Sequence, residues 1–318
     1  LDLVESPVPT PGPGQILVRN IYLSLDPTNR IWMSDMDQYM PPVEIGDVMR
    51  GGSIGVVEES KDPNVAVGAI VSPLMSGWQD WHLLPGAMVR PVPHIPGLPV
   101  TAFMSVVGLT GWTAYFGLLE IGQPKSGETV LISGAAGAVG MAVGQIAKIK
   151  GCRVVGIAGG AAKCDWVVNE LGFDACIDYK AGPNAVRDGL KAHCANGVDI
   201  YFDNVGGDIL DQVLARINRK ARIIICGAIS QYNNTTPIQG PKNYLSLLVN
   251  RARMEGMVVF DYADRYGVAI AEMAGYLRDG KMKSKEDVVV GLDTFPETLL
   301  KLFNGENFGK LVLEVAGK

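Results

Sequence analysis

Three glycines at equal spacing, Gly134, Gly137 and Gly140, lie between an aliphatic run and a run of small residues. Residues 129–150 read TVLISGAAGAVG and then MAVGQIAKIK, which is typical of a strand, a tight turn and a helix. At such a turn, backbone N–H groups and the positive end of the helix dipole face a pyrophosphate. The pattern predicts a dinucleotide site, with phosphate contacts from Gly137, Ala138, Val139 and Gly140.

The turn departs from the GxGxxG fingerprint, because Ala135 stands where the first glycine would fall. Alanine is small enough for a tight turn, and the expected functions of Gly137 and Gly140 are close backbone approach and close helix–strand packing. A merely well-packed turn of small residues would give the same pattern. The elements around the turn must therefore decide between the two readings.

Those elements alternate between short apolar runs and helical patterns. RVVGIA at 153–158 reads as a buried strand, and AAKCDWVVNELG after it reads as a helix closed by Gly172. The alternation continues through DACI, NAVRDGLKAHCA, VDIYFD, GDILDQVLARIN and ARIIICG. This order predicts an α/β fold with a doubly wound parallel sheet, the Rossmann arrangement.

The first third of the chain has a different sequence pattern, in which short predicted strands are separated by Pro and Gly. This pattern indicates a β-rich, barrel-like unit. A helical pattern from Ala102 connects it to the nucleotide-binding region. The last residues return to a strand, a helix and a strand, and the final strand is expected to rejoin the first unit. We therefore expect a substrate domain at 1–107, a nucleotide domain at 108–279 and a return to the substrate domain at 280–318.

Composition narrows the classes of function. The chain has 318 residues, 47% of them hydrophobic and 19% charged, and a net charge of −5. These values favour a compact globular protein and argue against nucleic acid or anionic lipid as a main partner. No apolar stretch is long enough for a membrane span and no cleavable signal is apparent, so a soluble, cytoplasmic protein is expected. Because the chain begins at Leu1 rather than Met, a few residues of the natural N-terminus are expected to be absent.

Four ordered motifs, SGAAGAVG, DNVGG, CGAISQYN and ENFGKLV, together resemble the zinc-independent medium-chain dehydrogenase/reductases. Within that superfamily, the chain is similar to the leukotriene B4 12-hydroxydehydrogenase/prostaglandin reductase family, which includes plant double-bond reductases. The segment YMPPVEIGDVMRGGSIGVV is most similar to the bacterial curcumin-reductase type of that family. The resemblance implies a GroES-like β-barrel domain beside the Rossmann domain, a homodimer, and NADPH-dependent reduction of a conjugated carbonyl substrate.

The same resemblance bears on zinc. Zinc-dependent members of the superfamily take Cys, His and carboxylate ligands from the first domain, where this chain has no cysteine and has Met49 and Arg50 at the place of a His-Glu pair. His82 and His94 are scattered and are interpreted as surface or structural residues. The five cysteines are odd in number and form no CxxC pair, so packing is the preferred interpretation for them. We predict no zinc.

The end of the second nucleotide-domain strand indicates which nicotinamide cofactor binds. NAD enzymes place a carboxylate there, whereas this chain has Gly159 and Gly160, with Lys163 early in the next helix. The absence of an acidic residue favours NADPH, and in the family a matching lysine contacts the 2′-phosphate together with a tyrosine that matches Tyr179. The resemblance further implies cofactor contacts from Asn204, Cys226, Gly227, Ala228, Ile229, Ser230, Gln231, Tyr232, Met257, Val258, Val259 and Asn307.

Two tyrosines are candidates for the chemistry. Hydride addition to a β-carbon builds negative charge on the carbonyl oxygen, and an uncharged O–H can donate to that enolate. Tyr232 is the candidate donor, because the resemblance implicates it in proton donation together with a ribose hydroxyl of the cofactor. Tyr39 matches a substrate-side tyrosine, although a structural or exposed aromatic would look the same in sequence. Quinone reduction and non-catalytic NADPH binding are the alternatives to enone reduction.

Overall fold

The computed structural model describes residues 1–35, 38–73 and 75–315. The chain divides into two compact units, one of Leu1–Met104 with Glu286–Lys318 and the other of Ser105–Lys285. Among the described residues, no helix combines the length and the apolar character that crossing a lipid bilayer requires.

The first unit is built on a mostly antiparallel sheet. Its elements are β1 (Gln15–Ser24), α1 (Thr28–Trp32), β2 (Arg50–Gly51), β3 (Ser53–Ser60), β4 (Ile70–Pro73), β5 (Ser76–Gly77), β6 (Trp81–Pro85) and β7 (Val89–Pro91).

The second unit alternates strands and helices. Its elements are α2 (Leu109–Phe116), β8 (Thr129–Ser133), α3 (Ala138–Ile149), β9 (Arg153–Ala158), α4 (Ala161–Asn169), β10 (Ala175–Asp178), α5 (Ala185–His193), β11 (Val198–Asp203), α6 (Gly207–Leu214), β12 (Ile217–Ile225), α7 (Leu245–Asn250), β13 (Arg253–Gly256) and α8 (Tyr266–Arg278). The chain then returns to the first unit with β14 (Glu286–Val290), α9 (Phe295–Asn304) and β15 (Lys310–Glu314).

In the first unit the main sheet runs β14-β15-β1-β3-β4-β7, with β6 also paired to β1. The C-terminal strand β15 lies antiparallel to β1, with Leu313 opposite Leu23, so the end of the chain is part of this sheet. Most apolar residues of β1 and all those of β15 are buried, because these strands form the centre of this sheet.

The second unit contains a parallel sheet in the order β10-β9-β8-β11-β12-β13. All five residues of β8 are buried, as is nearly all of β11, because helices cover both faces of a doubly wound sheet. Reversal of strand order at β8 creates a topological switch point beside its carboxyl end. In such sheets, ligands bind at that edge.

Two elements differ from the sequence expectation. The helical pattern from Ala102 becomes an α-helix only at Leu109, because Gly108 takes an extended conformation at its N-terminus. The helix after the glycine turn begins at Ala138, three residues before the MAVGQIAKIK run. The strand β13 was not predicted from the sequence; its four residues are all exposed and include three with polar or long flexible side chains.

Candidate active site

Six segments that follow the strands of the parallel sheet meet at one edge of the second unit. All neighbouring pairs in this sheet are parallel, so their carboxyl ends lie on the same side. The structure brings to this edge every predicted cofactor residue except Asn307. These residues include Tyr232, the candidate donor.

The glycine turn after β8 is shaped by close backbone contacts. The N–H of Gly137 donates to the carbonyl of Gly134 over 2.9 Å, and Gly134 has a φ of 62°. A Cβ on Gly140 would lie 2.2 Å from the Gly134 oxygen, so only glycine fits at this position. The expected close helix–strand approach at Gly140 has this physical basis. Ala135, where the fingerprint has glycine, is fully buried.

The first helical hydrogen bond of α3 runs from the Met141 N–H to the Gly137 carbonyl. The N–H groups of the three residues between them begin the helix and have no carbonyl one turn earlier to accept from them. No acidic side chain occupies the first turn of α3. The turn therefore offers N–H donors and a positive dipole end, which fit a pyrophosphate.

Asp203, at the end of β11, holds three strand ends together. Its side chain is fully buried, and Oδ1 accepts hydrogen bonds from Ser133 Oγ and Tyr201 Oη, both over 2.8 Å. The same oxygen accepts from the N–H groups of Val205 and Gly206 over 3.0 Å. The Asp203 carbonyl accepts from the N–H groups of residues 226 and 227, which begin the segment after β12.

Burial and the Asp203 charge also affect neighbouring ionisable groups. They raise the pKa of Tyr201 well above its ordinary value, and they raise the pKa of the Cys226 thiol to about 12. Both groups therefore stay protonated at neutral pH. Cys226 is thus a neutral neighbour of the site rather than a nucleophile.

The loop that carries Tyr232 rests on the turn after Asp203. Ser230 Oγ donates to the Val205 carbonyl over 2.6 Å, and the Ile229 N–H donates to the Asn204 carbonyl over 3.3 Å. Asn204 is held in turn by its Nδ2, which donates to the Ser133 carbonyl over 2.7 Å. The strand ends thus fix the position of this loop through a short chain of hydrogen bonds.

Glycines permit this contact between the two loops. Gly206 and Gly207 have φ values of 69° and 59°, which disfavour other residues. A Cβ on Gly207 would lie 2.7 Å from Gln231 Nε2 and 2.9 Å from Ser230 Oγ. The GG pair of the DNVGG motif therefore combines a turn conformation with a close approach.

Tyr232 is half-buried, and its hydroxyl oxygen accepts a hydrogen bond from the Ala228 N–H over 3.0 Å. A hydroxyl that accepts one hydrogen bond is polarised and donates a second one more strongly. Gly227 allows the ring to approach, since a Cβ there would lie 3.1 Å from the Tyr232 oxygen. This arrangement suits a group that donates to developing negative charge.

At the other end of the sheet edge, Tyr179 follows β10 and packs over Gly159. A Cβ on Gly159 would lie 2.8 Å from the Tyr179 oxygen, so glycine is required beneath the ring. Lys163 lies in the first turn of α4 and is partly exposed. The neighbouring strand β10 ends at Asp178. The Oδ1 atom of Asp178 accepts hydrogen bonds from the N–H groups of Gly160 and Lys180 over 2.7 and 2.9 Å.

Met257–Val259 follow β13 at the same edge. The Met257 N–H donates to the Ile225 carbonyl over 3.0 Å, so this segment continues beside the end of β12. Met257 and Val259 are buried. They supply an apolar surface next to the loop of residues 226–232.

Two predicted site residues belong to the first unit. Tyr39 is exposed, with its oxygen 2.5 Å from Thr28 Oγ1. Asn307 is buried just before β15, and its Nδ2 donates to the Gly309 carbonyl over 3.0 Å. Their contribution to a site therefore stays a prediction.

The histidines and carboxylates do not gather into a metal centre in the part of the chain that the structure describes, where no three such ligand side chains come together. His82 is half-buried beside the Gln79 amide, and burial lowers its pKa. It is therefore a neutral structural side chain.

Asp203, Ser133 and Tyr201 organise the site, although no sequence motif identified them. One signal was available, because an acidic residue that ends an otherwise buried strand, as in VDIYFD, requires hydrogen-bond partners. The identity of those partners depends on strand order, which the sequence does not state directly.

Comparisons with known proteins cover nearly the whole chain. Residues 1–92 match the family described as the N-terminal domain of oxidoreductase, and residues 138–275 match the family described as zinc-binding dehydrogenase. The chain is 44% identical to NADPH-dependent curcumin reductase of Escherichia coli K12, over 99% of this chain and 92% of that protein.

It is also 38% identical to an NADP-dependent 2-alkenal reductase of Nicotiana tabacum, over 96% of this chain and 88% of that protein. The crystal structure of CurA from Vibrio vulnificus in complex with NADPH has a TM-score of 0.94 and 43% identity, covering 100% of this chain and 94% of that chain. The predicted α/β fold, with a Rossmann-type sheet and a separate N-terminal sheet domain, is confirmed.

Proposed function

The chain belongs to the zinc-independent medium-chain dehydrogenase/reductase family, and on that premise we propose that it reduces the C=C bond of α,β-unsaturated ketones and aldehydes with NADPH. Relatives that match over nearly its whole length are named curcumin reductase, 2-alkenal reductase and (+)-pulegone reductase. One structural observation links the proposed reaction to Tyr232. The Tyr232 hydroxyl, polarised by the Ala228 N–H, lies on a loop fixed to the nucleotide-binding edge of the sheet.

The carboxyl edge of the sheet fits NADPH. The N–H groups at the start of α3 would donate to the pyrophosphate, and Gly140 lets the helix lie against the Gly134 backbone, which positions those groups. Lys163 and Tyr179 would hold the 2′-phosphate, since lysine supplies a compact positive charge and Asp178 is already engaged by two backbone N–H groups. The remaining contacts are assigned to the turn residues Gly137–Gly140 and to Asn204, the loop 226–232 and the segment 257–259.

When bound, NADPH supplies the hydride that adds to the β-carbon of the conjugated carbonyl. Tyr232 donates a hydrogen bond to the substrate carbonyl oxygen, and that bond strengthens as the oxygen gains negative charge. The Ala228 N–H offsets the charge that develops on the tyrosine oxygen as its proton moves toward the enolate. The apolar side chains of Met257 and Val259 exclude water from the neighbouring surface.

Tyr39 is assigned to the substrate side. It is 49% exposed, and its hydroxyl is held by Thr28 at the start of α1. An exposed ring with a fixed hydroxyl can stack on a conjugated substrate and hydrogen-bond to its polar end. Such a contact binds substrate and transition state about equally, so it affects KM more than kcat.

The experiment compares Tyr232→Phe with Tyr39→Phe by following the oxidation of NADPH with a 2-alkenal, a diarylheptanoid enone and a quinone. Loss of a donor to the developing enolate should lower kcat with the enals by about 10²-fold for Tyr232→Phe. Tyr39→Phe should mainly raise KM. Equal kcat for Tyr232→Phe and wild type would remove Tyr232 from the mechanism, and oxidation with the quinone alone would support quinone reduction instead.

A homodimer through the edge of the parallel sheet is proposed as the assembly. The edge strand β13 is exposed throughout, and the neighbouring helix α7 exposes Leu248 at 74% and Val249 at 65%. An unpaired edge strand with apolar neighbours is suited to pairing with a second copy. Leu248→Arg should shift the mass measured by light scattering from dimer to monomer. Leu300→Arg, an exposed leucine on α9, is the matched control and should leave the dimer intact.

A further inference from the structure

Two cysteines that the proposed reaction does not use lie in direct contact near the predicted 2′-phosphate residues. Cys176 on β10 donates its thiol hydrogen to Cys164 Sγ, with the sulfurs 2.8 Å apart. Cys164 is on α4 and is 8% exposed, Cys176 is partly exposed, and both are free thiols. The remaining cysteines, Cys152, Cys194 and Cys226, have no such thiol partner among the described residues.

The two thiols differ in acidity. The hydrogen bond from Cys176 lowers the pKa of Cys164, while the same bond and burial raise the pKa of Cys176. Asp178 and Asp165 oppose this shift at Cys164 through their negative charge. A thiolate is the reactive form of cysteine, so Cys164 is the attacking sulfur of the pair and Cys176 the resolving one.

The geometry favours a bond between them. A disulfide has a sulfur–sulfur distance of about 2.05 Å, so closure from the observed contact requires a movement of less than about 1 Å. Helix α4 and strand β10 are already neighbours, because the chain turns directly from one into the other. The bond would therefore join two elements that the fold has placed side by side.

We propose that Cys164 and Cys176 form a reversible disulfide, and that this bond weakens the binding of NADPH. With a hydroperoxide as oxidant, the Cys164 thiolate attacks the peroxide oxygen and forms a sulfenic acid, releasing an alcohol or, from hydrogen peroxide, water. Cys176 then attacks the Cys164 sulfur, the S–O bond breaks, and water leaves. Two thiols are oxidised by two electrons, and the peroxide O–O bond is reduced.

The expected effect on the cofactor follows from position and rests on the proposed function. Lys163 precedes Cys164 in the first turn of α4, and Asp178 and Tyr179 come two and three residues after Cys176. Closure draws this turn toward β10 and alters the relation between Lys163 and Tyr179. The change lies at the 2′-phosphate residues, so binding of NADPH should weaken while that of NADH, which lacks this phosphate, should not.

The test treats the full chain with hydrogen peroxide and maps the bond by peptide mass spectrometry without reduction. Titratable thiols should fall from five to three, with a Cys164–Cys176 peptide, and KM for NADPH should rise at least about fivefold relative to KM for NADH. A thiol reductant should reverse both changes. Cys176→Ser should show neither change, whereas Cys194→Ser, the matched buried thiol, should behave as wild type.

Absence of the Cys164–Cys176 peptide would overturn the proposal, and so would a mapped disulfide that leaves the NADPH to NADH ratio unchanged. The peptide map does not depend on turnover. Failure of the untreated protein to oxidise NADPH would therefore count against the proposed function and leave the disulfide result readable.

Discussion

Asp203 offers a sharp test of how the site is held together. Replacement by alanine removes the acceptor of four hydrogen bonds, three of which come from the buried donors Ser133 Oγ, Tyr201 Oη and the Gly206 N–H. A buried donor without a partner costs about 1–3 kcal/mol. Water entering the space left by the carboxylate recovers part of this cost, so we expect Asp203→Ala to lower the unfolding free energy by about 4 kcal/mol.

The matched control lies on the same strand at the opposite edge of the sheet. Asp199 accepts from the Thr129 N–H and from Asn218 Nδ2, both over 2.8 Å, and Asp199 and Asn218 are partly exposed. Its two donors can reach water after substitution, so Asp199→Ala should cost about 1–2 kcal/mol. It should not affect KM for NADPH.

The assay is urea unfolding with and without NADPH. A ligand stabilises the folded unit that binds it, so the unfolding transition that NADPH moves to higher urea concentration belongs to the nucleotide-binding unit. Asp203→Ala should also raise KM for NADPH by about tenfold or more, since the turn of Val205 and Gly206 positions the loop 226–232. Asp203→Asn keeps a carbonyl acceptor and should recover much of both losses. Equal stability of Asp203→Ala and Asp199→Ala, or an unchanged KM for NADPH in Asp203→Ala, would refute this reasoning.

Three further substitutions have expected outcomes. Lys163→Ala should raise KM for NADPH by about tenfold and leave KM for NADH unchanged, as loss of one charge-assisted hydrogen bond requires; equal effects on both cofactors would contradict the 2′-phosphate assignment. Gly140→Ala should abolish NADPH-induced thermal stabilisation, because its Cβ would meet the Gly134 oxygen at 2.2 Å. Lys310→Met should cost about 3 kcal/mol, because the buried Lys310 ammonium donates to the Leu25 carbonyl and to Asp26. Burial lowers the pKa of Lys310 below its usual value of 10.5, so the unfolded chain holds that proton more tightly than the folded chain does. The unfolding free energy of the wild type should therefore rise with pH in the range just below 10.5. The difference in stability between wild type and Lys310→Met should show this rise in urea unfolding across that window, and a flat difference would disprove it.

The parallel sheet was predictable because its central strands are short, apolar and separated by helical patterns. Residues 153–158 and 198–203 form strands with the bounds that the sequence indicated. β13 escaped notice because an exposed edge strand needs no apolar alternation, and its sequence, RMEG, shows none. Parallel pairing to β12, a contact distant in sequence, makes it a strand.

Within the site, the sequence indicated which segments follow the strands, but it did not indicate which side chains contact one another. The segments after each strand were identified from motifs, and parallel strand order then brought them to one edge. Sequence did not indicate that Asp203 gathers Ser133 and Tyr201, that Asp178 binds the Gly160 N–H, or that Cys164 meets Cys176. Each of these contacts joins different elements, so it depends on packing rather than on local pattern. The same holds for Lys310, a buried cation within an apolar strand.

The most direct measurement follows deuterium from C4 of labelled NADPH into a 2-alkenal, with the product analysed by NMR and mass spectrometry. We expect a saturated aldehyde that carries deuterium at its β-carbon. An allylic alcohol labelled at the former carbonyl carbon, or a product without label, would contradict reduction of the conjugated double bond by this protein.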